Sequence, residues 1–144
     1  MLRERPGRAV RQRNAFLFGT KPASGLSGSS DPLVIGTLVG ANFNSTADQA
    51  ITLVDGTWRI TKIRTTGAST SMTTAAAGLY TAAAKAGTAI VAASPVYSGM
   101  VNPTDVVECA VANYGNASTT VYFALTTAQG AAATANITVF GSRV

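Results

Sequence analysis

Few residues in this chain can do chemistry. Its 144 residues include no histidine and one cysteine, Cys109. That excludes a Ser-His-Asp triad, a Cys-His dyad, a histidine metal site, a thiolate metal cluster and an intramolecular disulfide. Cys109 lies among apolar neighbours in an alternating segment and reads as a small buried hydrophobe. Asp48 with Asp55, and Asp105 with Glu108, are the acids near enough in sequence to be tried as general acid–base pairs. Nothing in the spacing fixes either separation, and all four read as turn, cap and surface residues. Gly19-Thr20-Lys21 has the residue types that close a phosphate-binding loop, but the lysine does not directly follow the glycine. Asn14 also stands where that loop needs its upstream glycine. Asn44-Ser45-Thr46, Asn116-Ala117-Ser118 and Asn136-Ile137-Thr138 fit the glycosylation sequon, a match that arises readily among 20 threonines. The expectation is a protein that is not an enzyme, with no catalytic residue, no cofactor and no metal.

Charge is scarce and unevenly placed. Charged residues make up 12% of the chain, about half the usual share, and the net charge is +5. Residues 1–21 hold six of the eleven Lys and Arg against one acid, while residues 22–144 balance five against five. The chain therefore reads as a basic arm joined to a neutral body. The arm carries Arg3, Arg5, Arg8, Arg11 and Arg13, and ends in the apolar plug Ala15-Phe16-Leu17-Phe18. An arginine fork pairs with carboxylate and phosphate alike. Three readings are open: a solvated tail, an arm docked on an acidic protein surface or a neighbouring subunit, and a phosphate contact. Phe16 and Phe18 read as an anchor, because two aromatic rings on a polar tail are a liability in water. No aromatic residue lies between the arginines, so base stacking has no support. The start lacks the apolar stretch of a secretory signal, and Pro6-Gly7 spoils the amphipathic helix of a transit peptide. No run of 18 apolar residues is present, so no membrane helix is expected.

These residues must be positioned by short strands. Residues 19–32 are a Gly/Ser/Pro linker between the arm, 1–18, and the body, 33–144. From Leu33 on, β-type segments alternate with turn residues. Strands are expected over Leu33–Val39, Ala50–Val54 and Thr57–Arg64, and Asp55-Gly56 marks 50–64 as the clearest hairpin. Alanine content allows a helix over Thr74–Lys85. Gly78, Gly87 and the neighbouring threonines favour instead a strand over Ala77–Ala82, a turn over Lys85–Gly87 and a strand over Thr88–Ala92. Pro95–Val101 reads as an edge strand or one helical turn. Val106–Val111 alternates with Val107, Cys109 and Val111 inward and Glu108 outward. A turn at Asn113–Asn116 leads to Thr119–Thr126, with Val121, Phe123 and Leu125 on one face. Ala135–Phe140 closes the body with Ile137 and Val139 together. Seven or eight strands at roughly ten-residue spacing predict an all-β fold, an antiparallel β-sandwich or jelly roll with an extended basic arm.

Apolar residues make up 47% of the chain, but 26 of them are alanine, so the core is thin for the length. Partner subunits are one way to finish burying such a surface. Trp58 reads first as a core anchor and second as an interface anchor. Tyr80 and Tyr97, like Tyr114 and Tyr122, are amphipathic and are candidates to line a subunit contact.

Trp58-Arg-Ile-Thr-Lys-Ile-Arg64, the Ala/Ser/Thr stretch after it, Gly78-Leu-Tyr-Thr-Ala82, Gly87-Thr-Ala-Ile-Val91 and Tyr97 carry a resemblance. Over residues 50–144 the chain resembles small virion structural proteins of tailed bacteriophages, of the capsid-decoration or head-fibre-base kind. The resemblance implies a β-sandwich or jelly-roll body, often trimeric, on the outside of the capsid. It implies no catalytic residue. It implies an N-terminal segment fastened to the major capsid protein or another virion protein, and a homo-oligomer around a symmetry axis. The alternatives are a tail, tail-fibre or head–tail connector component and, behind these, a nucleic-acid-binding module using the basic arm.

Overall fold

A computed structural model describes residues 32–94, 97–113, 116–117 and 119–144. The described residues form nine strands and no helix: β1 (Leu33–Asn42), β2 (Gln49–Thr52), β3 (Trp58–Thr66), β4 (Ala76–Ala82), β5 (Ala86–Ser94), β6 (Val106–Ala110), β7 (Asn116–Ala117), β8 (Thr120–Thr127) and β9 (Thr134–Arg143). The helix allowed over Thr74–Lys85 does not form. β4 occupies that stretch, where Ala76, Ala77, Gly78 and Leu79 are all buried between neighbouring strands. Pro95–Val101 is neither strand nor helix over its described part. Tyr97–Gly99 is a turn, closed by the Met100 amide donating to the Tyr97 carbonyl at 2.8 Å.

The strands make two antiparallel sheets. Sheet A has the order β1-β9-β3-β6, with the two-residue β7 also paired to β3. Sheet B has the order β2-β8-β4-β5. The pairing is nested: β1 lies on β9, β2 on β8, β3 on β6 and β4 on β5. The chain changes sheet at every connection except β4–β5 and β6–β7. The hairpin expected over 50–64 is therefore not formed, and β2 and β3 belong to different sheets. The Leu53 amide donates to the Thr119 carbonyl, Leu53 bridges Gly36, and the Val54 amide donates to the Ile35 carbonyl. The chain then bends at Asp55-Gly56 and enters the opposite sheet. The reason is burial. In a hairpin, Ile51 and Leu53 would share one face with Trp58 and Ile60, whereas an arch sets the two pairs facing each other across the core. All four are buried.

One core fills the space between the sheets. Sheet A contributes Ile35, Ile60, Ile63, Ile137 and Val139, and sheet B contributes Ile51, Leu79, Val121, Phe123 and Leu125. Each such side chain is worth roughly 1.5–3 kcal/mol of burial. The expected inward faces of β8 and β9 are those observed, and Cys109 points inward from β6 while Glu108 points out. The connections add Phe43, Met72, Tyr97 and Met100. Phe43 packs on Tyr97 edge-to-face at 5.0 Å and on Phe123 at 5.2 Å, in the geometry aromatic pairs prefer. Many of the alanines are core residues, among them Ala41, Ala68, Ala75, Ala77 and Ala135. They let backbones approach closely. Gly141 in β9 allows another close approach: a Cβ there would stand 2.7 Å from Ile35 Cδ1 and 2.8 Å from the Arg59 carbonyl.

Candidate functional site

The strands of sheet B contain no charged residue. Every charge borne by a strand lies on sheet A: Arg59, Lys62 and Arg64 on β3, Glu108 on β6 and Arg143 on β9. Antiparallel register sets these side chains in rows on the outer face. Lys62 lies between Ala110 and Phe140, and Arg64 between Glu108 and Thr138. Position 61 is a bulge, since Ile60 faces Gly141 and Lys62 faces Phe140. The bulge returns Lys62 to the outer face two residues before Arg64.

Lys62 and Arg64 converge on one carboxylate. Lys62 Nζ donates to Glu108 Oε1 at 3.0 Å and to Oε2 at 3.2 Å. Arg64 reaches Oε1 through Nε at 2.8 Å and through Nη2 at 2.8 Å. These hydrogen bonds, from Arg64 first and Lys62 second, hold the Glu108 carboxyl below its ordinary range. Both cations also lie over the Phe140 ring, Lys62 Nζ at 5.1 Å and Arg64 Cζ at 5.2 Å from its centroid. Thr61 Oγ1 donates to the Phe140 carbonyl at 3.2 Å. A shallow open groove of about 320 Å³ adjoins this cluster, lined by Thr61, Lys62, Glu108, Cys109 and Ala110. At the far end of β3, the Arg143 guanidinium lies 5.5 Å from the centre of the Trp58 ring.

This arrangement suits ionic recognition better than turnover. Its one carboxylate is ionised and engaged by two cations, and the adjacent thiol is a poor nucleophile because burial pushes Cys109 upward. Asp105 is used elsewhere, accepting from the Asn102 and Val101 amides at 2.7 and 2.8 Å, which lowers its pKa. Asp48 accepts from the Ala84 amide and ties the β4–β5 turn to the β1–β2 connection, where Lys85 Nζ also donates to the Thr46 carbonyl at 3.0 Å. Among the described residues, no three His, Cys, Asp or Glu side chains gather where a metal ion could be held.

The arm residues Arg3, Arg5, Arg8, Arg11, Arg13, Phe16 and Phe18 lie outside the described residues. The three aromatic interface candidates are all buried within the chain. Trp58 is 5% exposed, and its indole N–H donates to the Val54 carbonyl at 2.7 Å. Tyr80 is 7% exposed and Tyr97 is fully buried. Burial raises Tyr97 well above its ordinary value, the nearby Cys109 adds to the rise, and the Thr65 hydroxyl opposes it. The Thr65 hydroxyl and the Cys109 thiol both act on the Tyr97 hydroxyl, yet neither the Tyr97 nor the Thr65 hydroxyl meets hydrogen-bond geometry with any partner. Sequence reasoning tried Glu108 only as an acid beside Asp105 and did not single out Lys62, Arg64 or Phe140. The i, i+2 spacing of Lys62 and Arg64 put two cations on one strand face. The register that brings Glu108 and Phe140 to them joins strands far apart in the chain.

Comparisons with protein families, with curated proteins and with solved structures gave no match for this chain. Among the described residues no helix is long and apolar enough to cross a membrane.

Proposed function

We propose that this chain is a structural component of a tailed-bacteriophage virion, a non-catalytic jelly-roll module that decorates or cements the capsid. The observation that carries the reading is the nested strand order, β1-β9-β3-β6 against β2-β8-β4-β5. Leaving aside β7, that is the order of two interlocked Greek keys, an architecture used by viral capsid domains among others. A fold alone does not assign a function. Two features of this chain narrow it: strand charge confined to one sheet, and a basic arm ahead of a body whose net charge is only +1.

In this reading the module works by adhesion at the capsid surface. Arg3, Arg5, Arg8, Arg11 and Arg13 pair with carboxylates on the major capsid protein or another virion protein. Phe16 and Phe18 fill an apolar groove there, and the chain beside them adds as a strand. The Lys62–Arg64 face of sheet A gives a second cationic contact. The body assembles as a homo-oligomer, a trimer for preference, so that several weak contacts act together.

The test is fractionation of purified phage particles that contain the chain, followed by rebinding to stripped heads. Recovery with tail-free heads, and rebinding by the full chain but not by a folded chain starting at Pro32, is the expected result. Recovery only with tails moves the assignment to a tail, tail-fibre or connector component. Binding to naked DNA that falls steeply with salt, without binding to heads, moves it to a nucleic-acid module.

A further inference from the structure

We propose that β6 is a docking edge: an extended segment of a partner protein adds to it as a strand of sheet A and sets one carboxylate against Lys62. The proposal names the partner chemistry of the Lys62–Arg64 face and rests on the reading of the chain as an adhesive module. Its starting point is how the end strands of the two sheets are closed. These are β1 and β6 in sheet A and β2 and β5 in sheet B. β1 and the end of β2 lean on each other: Gly36 bridges Leu53, and the Val54 amide donates to the Ile35 carbonyl at 2.8 Å. At the other end of β1 the Gln49 carboxamide stands in for a strand. It donates to the Asn42 carbonyl at 2.9 Å and accepts from the Asn42 amide at 2.7 Å. β5 is covered by the segment that follows β6. The Ile90 carbonyl accepts from the Ala112 amide at 2.8 Å, and the Ala89 carbonyl accepts from Asn113 Nδ2 at 3.0 Å. β6 has no such cover. Among the described residues, no hydrogen bond outside its ladder with β3 reaches the backbone of Val106–Ala110. Every second residue of an antiparallel edge strand turns its amide and carbonyl away from its neighbour, which makes a template for another strand.

The side chains beside that edge define what it takes. On the outer face β6 presents Val106, Glu108 and Ala110, in register with Thr66, Arg64 and Lys62 of β3. Ala110 is small, so a side chain opposite it on an added strand reaches over it to Lys62. The Lys62 ammonium has three donors and directs two to Glu108, at 3.0 Å to Oε1 and 3.2 Å to Oε2. The third is left for a further acceptor beside the open groove lined by Thr61, Lys62, Glu108, Cys109 and Ala110. A carboxylate fits that place, because two cations already share one acid there. Opposite Glu108 a second acid would be repelled, so a neutral polar residue belongs there. Opposite Val106, which is 56% exposed, an apolar residue buries surface on both strands. Val107 and Cys109 alternate with these toward the core, so the intervening positions of the added strand are apolar too. Along an antiparallel added strand the order is therefore acid, apolar, polar, apolar, apolar.

A second copy of β6 does not meet these terms. Two such strands in full antiparallel overlap set Glu108 opposite Glu108 and bring no acid to Lys62. The occupant is a β-type segment of another protein with a single acid at its head. β6 has 5 residues, so the ladder is short and the contact is weak alone. It gains strength when the arm holds the same partner.

The experiment is an NMR titration of the full chain with the peptide acetyl-Thr-Glu-Val-Thr-Val-Val-Thr-amide, which has that order. The expected result is saturable shifts of the β6 amides with a Kd of about 1 mM or tighter. Replacing the peptide's Glu by Gln should weaken binding about fivefold, and Lys62→Gln should cancel that preference. Ala110→Glu sets the chain's own carboxylate beside Lys62 and should weaken binding by a similar factor. Two N-methylated peptides separate strand addition from ionic attraction. Methylating the amides turned toward β6 should abolish binding, and methylating the alternate set should not. Binding in which neither methylated peptide differs from the parent, or in which the Gln peptide binds equally, overturns the proposal. So does an absence of shifts at β6, and so does a chain that pairs β6 with a second copy in place of the peptide. Failure of the capsid reading is separate: it appears as no binding to heads by a chain whose β6 takes the peptide. Binding to heads that Ala110→Glu leaves unchanged, with no peptide shift at β6, overturns strand addition alone.

Discussion

Removing the Tyr97 hydroxyl should stabilise this protein. The ring is fully buried, edge-on to Phe43 at 5.0 Å and to Phe123 at 6.3 Å, and Tyr97→Phe keeps both contacts. Only the hydroxyl is lost, and it has no hydrogen-bond partner. A buried polar group left unpaired costs about 1–3 kcal/mol, and a small void where the oxygen stood gives part of that back. The expected net gain is about 1 kcal/mol, or roughly 3–6 °C in Tm for a body of this size. Thr65→Val removes the second unpaired hydroxyl at nearly constant shape and should act in the same direction. Denaturant unfolding of the two single variants and the double variant, read as a cycle, measures how strongly the two neighbouring hydroxyls are coupled. The alkaline limb supplies a second readout. Tyr97 is raised in the folded state, so the unfolded chain loses this proton first. The stability linked to it is complete below the ordinary tyrosine pKa of about 10 and declines as pH climbs from there toward the folded value. Tyr97→Phe should flatten that decline. A variant that loses about 1 kcal/mol or more, with strong non-additivity toward Thr65→Val, would show that the two hydroxyls are bonded and refute the argument.

Three further outcomes can be checked on the same material. Gly141→Ala should cost about 1–3 kcal/mol by overpacking, because one of the atoms its Cβ would meet is the backbone oxygen of Arg59. Calorimetry on this variant beside Gly130→Ala separates overpacking from backbone effects, since Gly130 has open space around it but a positive φ of 87°. Ala84→Gly should raise Tm slightly, because Ala84 holds φ at 60°, and the relief of that strain exceeds the added chain entropy by a few tenths of a kcal/mol. Glu108→Gln should make the chain elute later from a sulfonate cation exchanger, since Lys62 and Arg64 lose their shared counterion. The folded-state pKa of Glu108 is depressed, so the elution difference from the unsubstituted chain should be present at neutral pH. It should fade as pH falls through the folded value, where Glu108 is itself neutral.

What the sequence made legible was local, and what it hid was long-range. β8 was readable because Val121, Phe123 and Leu125 alternate with polar or smaller residues across a strand with one buried face. The strand read over Ala77–Ala82, observed as Ala76–Ala82, was legible against its alanine content because Gly78, Gly87 and the neighbouring threonines disfavour helix. The Asp55-Gly56 bend was read correctly as a reversal of direction and wrongly as a hairpin. An Asp-Gly pair says that the chain turns, but the partner that completes the ladder is chosen by which core half must receive Ile51 and Leu53. The same limit applies to the candidate site. Lys62 and Arg64 were visible as charges and Glu108 as an outward residue of its strand, but their meeting depends on the register of β3 with β6.

That register also explains how a chain with so few charges comes to have two unlike faces. Consecutive strands alternate between the sheets for most of the chain, so each sheet samples the sequence at intervals. The charged strands are β3, β6 and β9, and the nested pairing lays these three side by side. The intervening segments, which hold no charged residue in their strands, gather into the other sheet. A charge moved from β3 to β2 or β4, or from β9 to β8, would therefore change sheet. Thr120→Lys, which places a lysine on β8 beside Thr52, should leave the core faces unaltered and put a cation on the neutral sheet. If that single change lowers self-association while stability stays within about 0.5 kcal/mol, the segregation of charge serves assembly rather than folding. Equal association by the two chains would mean that the neutral sheet is only a consequence of the strand order.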